Sequence, residues 1–139
     1  MRLIMLHILI RPRFLVLASL ALTVAPLGAI AADRSDQKFP DVMSVKITPR
    51  SANVFDFDVT VSSPYDTPQR YADAIRVLAE PNVVLGERIL FHDHADEQPF
   101  TRDVYGVRIP PGIRVVVVQA RDKVHGYGGK TVEVTLPGR

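Results

Sequence analysis

Arg70-Tyr71-Ala72-Asp73-Ala74-Ile75-Arg76-Val77-Leu78-Ala79 carries two periodicities at once, and the fold class turns on which of them the chain obeys. Tyr71, Ala72, Ala74, Ile75, Leu78 and Ala79 fit the stripe of an amphipathic helix, whereas Tyr71, Ile75 and Val77 fall on one face of a strand. The flanks arbitrate. Pro68 and Pro81 hold the segment to the length of a strand, and the chain on both sides is rich in alternating pattern, so the segment is read as a strand with a helix as the alternative.

Upstream, Phe55, Phe57, Val59 and Val61 alternate with Asp56, Asp58, Thr60 and Ser62, the period-two pattern of a half-buried strand. Ser63-Pro64-Tyr65-Asp66-Thr67-Pro68 then breaks it. Before that, Met43, Val45 and Ile47 alternate with Ser44, Lys46 and Thr48 up to Pro49. Downstream, Pro81-Asn82 is a turn, Val83 to Phe91 a strand with Gly86 as a possible bulge, and Phe100 to Ile109 another, stopped by Pro110-Pro111-Gly112. Ile113 to Ala120 contains the run Val115-Val116-Val117-Val118, which predicts a central strand buried on both faces. Lys123 to Gly129 reads as a loop whose glycines supply positive φ around Tyr127, and Lys130 to Leu136 is the last strand, with Val132, Val134 and Leu136 on one face.

About seven short strands with regular turn signals predict an all-β fold, a seven-stranded antiparallel sandwich over residues 42–137. It resembles the immunoglobulin and fibronectin type III sandwiches, without the Cys…Trp…Cys hallmark, since the chain has neither residue type. The segments SSPYDTPQRYADA, HDHADEQPFTR and HGYGG are also similar to those of small exported proteobacterial proteins, a resemblance that implies export and this sandwich but no activity.

Residues 1–31 read as a signal peptide. Arg2, Arg11 and Arg13 form the positive region, Phe14 to Val24 the apolar run, and Ala29-Ile30-Ala31 the cleavage pattern. The apolar run is short for a membrane span, so no stable membrane insertion is expected after cleavage, with an uncleaved anchor as the alternative. Residues 32–41 then form a flexible leader, and the location is periplasmic or secreted. Removing the three arginines leaves 14 Lys+Arg against 15 Asp+Glu. With a net charge of −1 and charges of both signs interspersed, the composition argues against nucleic acid as a partner. The absence of cysteine leaves stability to the hydrophobic core.

Up-and-down strands put alternate loops at alternate ends. The loops at 49–53, 80–83 and 110–112 share one end, and those at 63–69, 93–98 and 123–129 share the other. The second end should gather Tyr65, Asp66, His94, Asp96, Glu97, His125 and Tyr127, with His92 just below the rim. If the strand continues through His92 and His94, both project from the face opposite Ile89 and Phe91. An H-x-H pair can bind copper or zinc through neutral imidazole nitrogens, so His92, His94 and His125, with Glu97 or Asp96, form an expected metal set. Against copper stands the scarcity of methionine beside them. The structural reading of the same stretch is a loop in which Asp93, Asp96, Glu97 and Gln98 cap a turn and Arg102 pairs with a carboxylate.

Other motifs fail on chemistry. Gly129-Lys130-Thr131 lacks the P-loop glycine, since position 124 is valine, and a strand rather than a helix follows. No serine nucleophile elbow is present, and paired carboxylates would need a cleft that a sandwich of this size rarely builds. Tyr65, Tyr71 and Tyr127 are expected to pack the ends of the core with their hydroxyls outward, or to form an aromatic surface. The sequence thus points to a non-enzymatic exported module that binds another exported protein or a small ligand through one end, with Tyr65, Asp66, Asp96 and Tyr127 as interaction residues. The alternatives are a periplasmic copper- or zinc-binding protein, or an accessory subunit of an enzyme.

Overall fold

The structure, a computed structural model, describes residues 36–139. The expected signal peptide and the first residues of the leader lie outside them. Seven strands run through the described residues: β1 (Asp41–Ser51), β2 (Val54–Ser62), β3 (Ala72–Ala79), β4 (Val83–Ile89), β5 (Phe100–Arg108), β6 (Val115–Asp122) and β7 (Gly126–Thr135). They form a three-stranded sheet in the order β1-β2-β5 and a four-stranded sheet in the order β4-β3-β6-β7. Every pairing between them is antiparallel.

The ambiguous segment is a strand. In β3, Ile75 and Val77 are fully buried, and Ala72 and Ala74 are buried as well, although they point to opposite sides of the ladder. The helical spacing of its alanines arises because β3 lies between β4 and β6, where small residues are covered on either face. One apolar core draws on both sheets: Phe57, Val59, Val61 and Phe100 come from the first, Ile75, Val77, Val116 and Val118 from the second. With each fully buried aliphatic or aromatic side chain contributing about 1.5–3 kcal/mol, that shared core holds the two sheets together without a disulfide.

Three expectations need correction. The valine run of β6 is central in its sheet but is not buried on both faces. Val116 and Val118 turn inward, whereas Val115 is 39% exposed. Val115 lies on the outer face, where β-branching serves strand propensity rather than burial. The last loop is only Lys123-Val124-His125, because β7 begins at Gly126, which pairs with Asp122. Gly126 (φ 84°) and Gly129 (φ 77°) do take the left-handed conformation, Gly126 as the first residue of β7 and Gly129 within it, where two extra residues opposite Gln119 bulge the ladder. In β4 the extra residue is Leu85, beside Gly86. Gly86 itself is needed for close approach, since a Cβ there would stand 2.9 Å from the Val107 side chain of β5.

Residues 37–40, expected in the leader, make contacts of their own. Gln37 Nε2 donates to the carbonyl of Ser62 at 3.0 Å, and Pro40 is fully buried. The ring of Phe39 occupies the space a side chain at Gly128 would need. These contacts, with the Lys130 N–H bonded to Asp41 Oδ1 at 2.7 Å, close the flank between β1 and β7.

Candidate functional site

Antiparallel pairing brings the β2–β3, β4–β5 and β6–β7 connections to one end of the fold, and buried carboxylates hold them there. Asp66 is 5% exposed. Its Oδ1 accepts the Ala72 N–H at 3.1 Å and its Oδ2 accepts the His94 N–H at 3.0 Å, so one side chain ties the β2–β3 loop to β3 and to the β4–β5 loop. Burial holds its carboxyl above the ordinary value, against the opposing effect of the His94 and Ala72 hydrogen bonds. Gln98 adds a second tie: its Oε1 accepts the Ser63 N–H at 2.7 Å, and its Nε2 donates to the His94 carbonyl at 3.0 Å.

Asp122 is the counterpart on the other side of this end, and it is fully buried. Oδ1 accepts the N–H groups of Val124 (2.9 Å) and His125 (2.7 Å), which shapes the β6–β7 turn, and Oδ2 accepts Arg70 Nε at 3.1 Å. Arg70 continues the chain of contacts, donating to the Lys38 carbonyl at 2.6 Å and lying 4.0 Å from the centre of the Tyr65 ring. Burial alone would raise the Asp122 carboxyl, but the bonds from the His125 and Val124 N–H groups and the charge of Arg70 together bring it below its ordinary value. Sequence reading passed over Asp122. The signal that could have found it is an aspartate directly before a short turn, the position from which a carboxylate accepts the N–H groups two and three residues on.

The opening of the β4–β5 connection differs from expectation. β4 stops at Ile89, and the Leu90 N–H donates to the Asp73 carbonyl at 2.8 Å while its side chain enters the core. That shift reverses the expected alternation, leaving Phe91 84% exposed. His92 and His94 consequently do not share a solvent face. His94 is 3% exposed, stacked on Phe100 at 4.0 Å between ring centres, and its Nδ1 is buried without a hydrogen-bond partner. His92 is exposed, 4.8 Å from the His94 ring, with Nδ1 set against the Asp93 carbonyl. Arg88, Phe91, His92, His94 and Arg102 help line a cavity of about 110 Å³ there.

The rest of the stretch is loop chemistry. Asp93 Oδ1 accepts the Ala95 N–H at 3.3 Å at the start of a single 3₁₀ turn, Ala95–Glu97. Glu97 forms a two-pronged pair with Arg102 NH2 (3.1 and 3.1 Å), and Asp96 is exposed. His125 lies apart from the other histidines, edge-on to Phe39 at 6.2 Å. The expected metal set of His92, His94, His125 and Glu97 is therefore not assembled. Among the described residues no group of three or more His, Asp or Glu side chains is placed to hold a metal ion.

The expected interaction residues also separate. Asp96 and part of Tyr65 face solvent, whereas the Asp66 carboxylate is buried and committed to backbone. Tyr127 lies on β7 against the guanidiniums of Arg76 (3.6 Å) and Arg121 (5.7 Å), and not at the loop rim. The hydroxyls of Tyr65 and Tyr127 are buried and not outward. Burial first, and then the neighbouring Glu87, push the Tyr127 phenol up to about 12. Burial and then Asp122 raise Tyr65 further above its ordinary value.

His94 gives this end a pH dependence. Burial first, then the charges of Arg102 and His92, depress its imidazole below the ordinary 6.5. A folded-state value below the unfolded one means that the unfolded chain binds the proton more readily. Stability from this site is thus complete above about pH 6.5 and falls as the pH drops below it. The denaturant midpoint of the wild-type protein is expected to decline between pH 7.5 and pH 5.5, and His94→Phe to flatten that decline. An equal decline in the variant would assign the effect to other groups. Asp66, whose shift has the opposite sign, adds stability only as the pH falls into the carboxylate range.

Among the described residues no helix is long and apolar enough to cross a membrane. No family model matches the chain. The chain is 33% identical over 99 residues to a protein of Halomicrobium mukohataei described as a "putative lipoprotein", covering 71% of this chain and 48% of that protein. It thus spans about half the length of the curated relative it matches. A hypothetical protein of Pyrococcus horikoshii superposes with a TM-score of 0.42 at 15% identity, over 70% of this chain and 87% of the other.

Proposed function

We propose that this chain is an exported, non-enzymatic binding module of the immunoglobulin or fibronectin type III kind, which meets another exported protein through the end formed by residues 63–69, 90–98 and 123–125. The strand order, β1-β2-β5 facing β4-β3-β6-β7, supports the fold kinship. The relative described as a lipoprotein supports an envelope or secreted location. The observation that carries the reading is Phe91, an aromatic residue 84% exposed on a loop that the buried Asp66 carboxylate and the Gln98 amide hold in place. A large apolar side chain displayed on a rigid support is the pattern of an interaction anchor, because little ordering entropy remains to be lost on binding.

The test places a photo-reactive residue at position 91 or, at the opposite end, at position 111, in cells that export the protein. A specific protein adduct from position 91 and none from position 111 is expected. Equal labelling from both positions, or labelling from 111 alone, would refute the assignment of the surface.

A further inference from the structure

The end opposite the loops, which the sequence marks only by short proline-containing turns, contains a solvent-open cavity of about 530 Å³. It is larger than the 280 Å³ groove between β4 and β5 and the 110 Å³ cavity beside His94. Its lining is Asn53, Pro111, Gly112, Arg114, Gly138 and Arg139, which brings two arginines and no aspartate or glutamate to this end. A volume of this order accommodates a small organic molecule rather than a lone ion.

Arg139 is fixed across this end. NH1 donates to the carbonyls of Pro110 (2.7 Å) and Ile113 (2.9 Å), and NH2 donates to Asn53 Oδ1 (2.5 Å) and the Ile109 carbonyl (2.9 Å). The guanidinium also lies 5.1 Å from the centre of the Phe55 ring. Asn53, in the left-handed conformation at φ 64°, joins the same structure through its carbonyl, which accepts the Ile109 N–H at 2.7 Å. All four acceptors of Arg139 are neutral, and they occupy donors on two of its nitrogens while leaving Nε–H without a bond. Arg114 is exposed, and among the described residues neither arginine is paired with an aspartate or glutamate side chain. The nearby Asp56 carboxylate is already engaged by Arg50 and by the Gly106 N–H.

A guanidinium held by neutral oxygens keeps its full charge and has lost most of its freedom, the arrangement that favours receipt of an anion. We propose that this cavity binds a small organic anion, one bearing a carboxylate or phosphate group, which Arg114 and the free donor of Arg139 receive. The site is separate from the loop end, so either assignment can fail without the other.

The intact protein, followed by amide NMR at low ionic strength, is titrated with succinate, with inorganic phosphate and with the neutral succinamide. Saturable shifts at Asn53, Gly112, Arg114 and Gly138 with either anion, and none with succinamide, are expected. Arg114→Gln, which removes no hydrogen bond or ion pair among the described residues, should weaken the binding at least about tenfold, the loss of one charge-assisted contact. Arg139→Lys, which keeps the charge but loses the planar fork and its four bonds, should weaken it and shift amides of this end, while those of the opposite loop end stay in place. Shifts that rise linearly without saturation, equal binding of succinamide, or undiminished binding by Arg114→Gln would overturn the proposal.

Discussion

Asp122→Ala is expected to destabilise the protein by about 3 kcal/mol, the low end of the cost of removing one partner of a buried ion pair. The carboxylate is fully buried and serves three donors, Arg70 Nε and the Val124 and His125 N–H groups. Its removal leaves two turn amides without an acceptor and the Arg70 charge without a partner. The low end of the range applies because the Arg70 side chain is 28% exposed and can regain water. Set against a typical stability of about 5–15 kcal/mol, such a loss is large. Urea denaturation at pH 7 measures it. Asp122→Asn, which keeps an acceptor oxygen, should lose about half as much. As a contrast, Glu97→Ala removes only an exposed pair with Arg102 and should cost no more than about 0.5 kcal/mol. A cost for Asp122→Ala as small as that of Glu97→Ala would show that the turn stands without its buried carboxylate.

The contrast between these two acids shows where the sequence was legible. Strand number, the strand nature of Ala72–Ala79 and the sorting of loops to two ends all follow from local alternation and proline placement, and the structure shows all three. The density of chemistry in His92–Glu97 was legible too, but density did not mark importance. Glu97 and Asp96 are exposed, whereas Asp66 and Asp122, isolated in the sequence, carry the loop architecture. What makes a carboxylate structural is burial beside backbone donors from distant segments, such as the 28 residues separating Asp66 from His94, and no local pattern encodes that. Phe91 was misplaced for a related reason. A period-two pattern predicts its face only while the strand lasts, and Leu90 takes the core position once β4 has ended at Ile89. The cationic cavity was hidden because Asn53, Arg114 and Arg139 come from three separate parts of the chain.

Asp66→Ala is the second large expectation. The Ala72 and His94 N–H groups would lose a shared acceptor inside the protein, each at a cost of about 1–3 kcal/mol. Part of that cost is offset because a carboxylate that burial holds above its ordinary value is itself unfavourable there, so a net loss of about 2–3 kcal/mol is expected. The effect should also be local, because the same side chain fixes the loop that displays Phe91. Hydrogen exchange of the His94 amide tests this most directly, since it reports whether the loop end is held as one rigid surface. In the wild-type protein the His94 amide, although in a loop, should exchange at least about a hundredfold more slowly than in an unstructured peptide, and Asp66→Ala should abolish most of that protection. Exchange of His94 in the wild-type protein at the rate of a free peptide would contradict a loop end organised by its buried carboxylates.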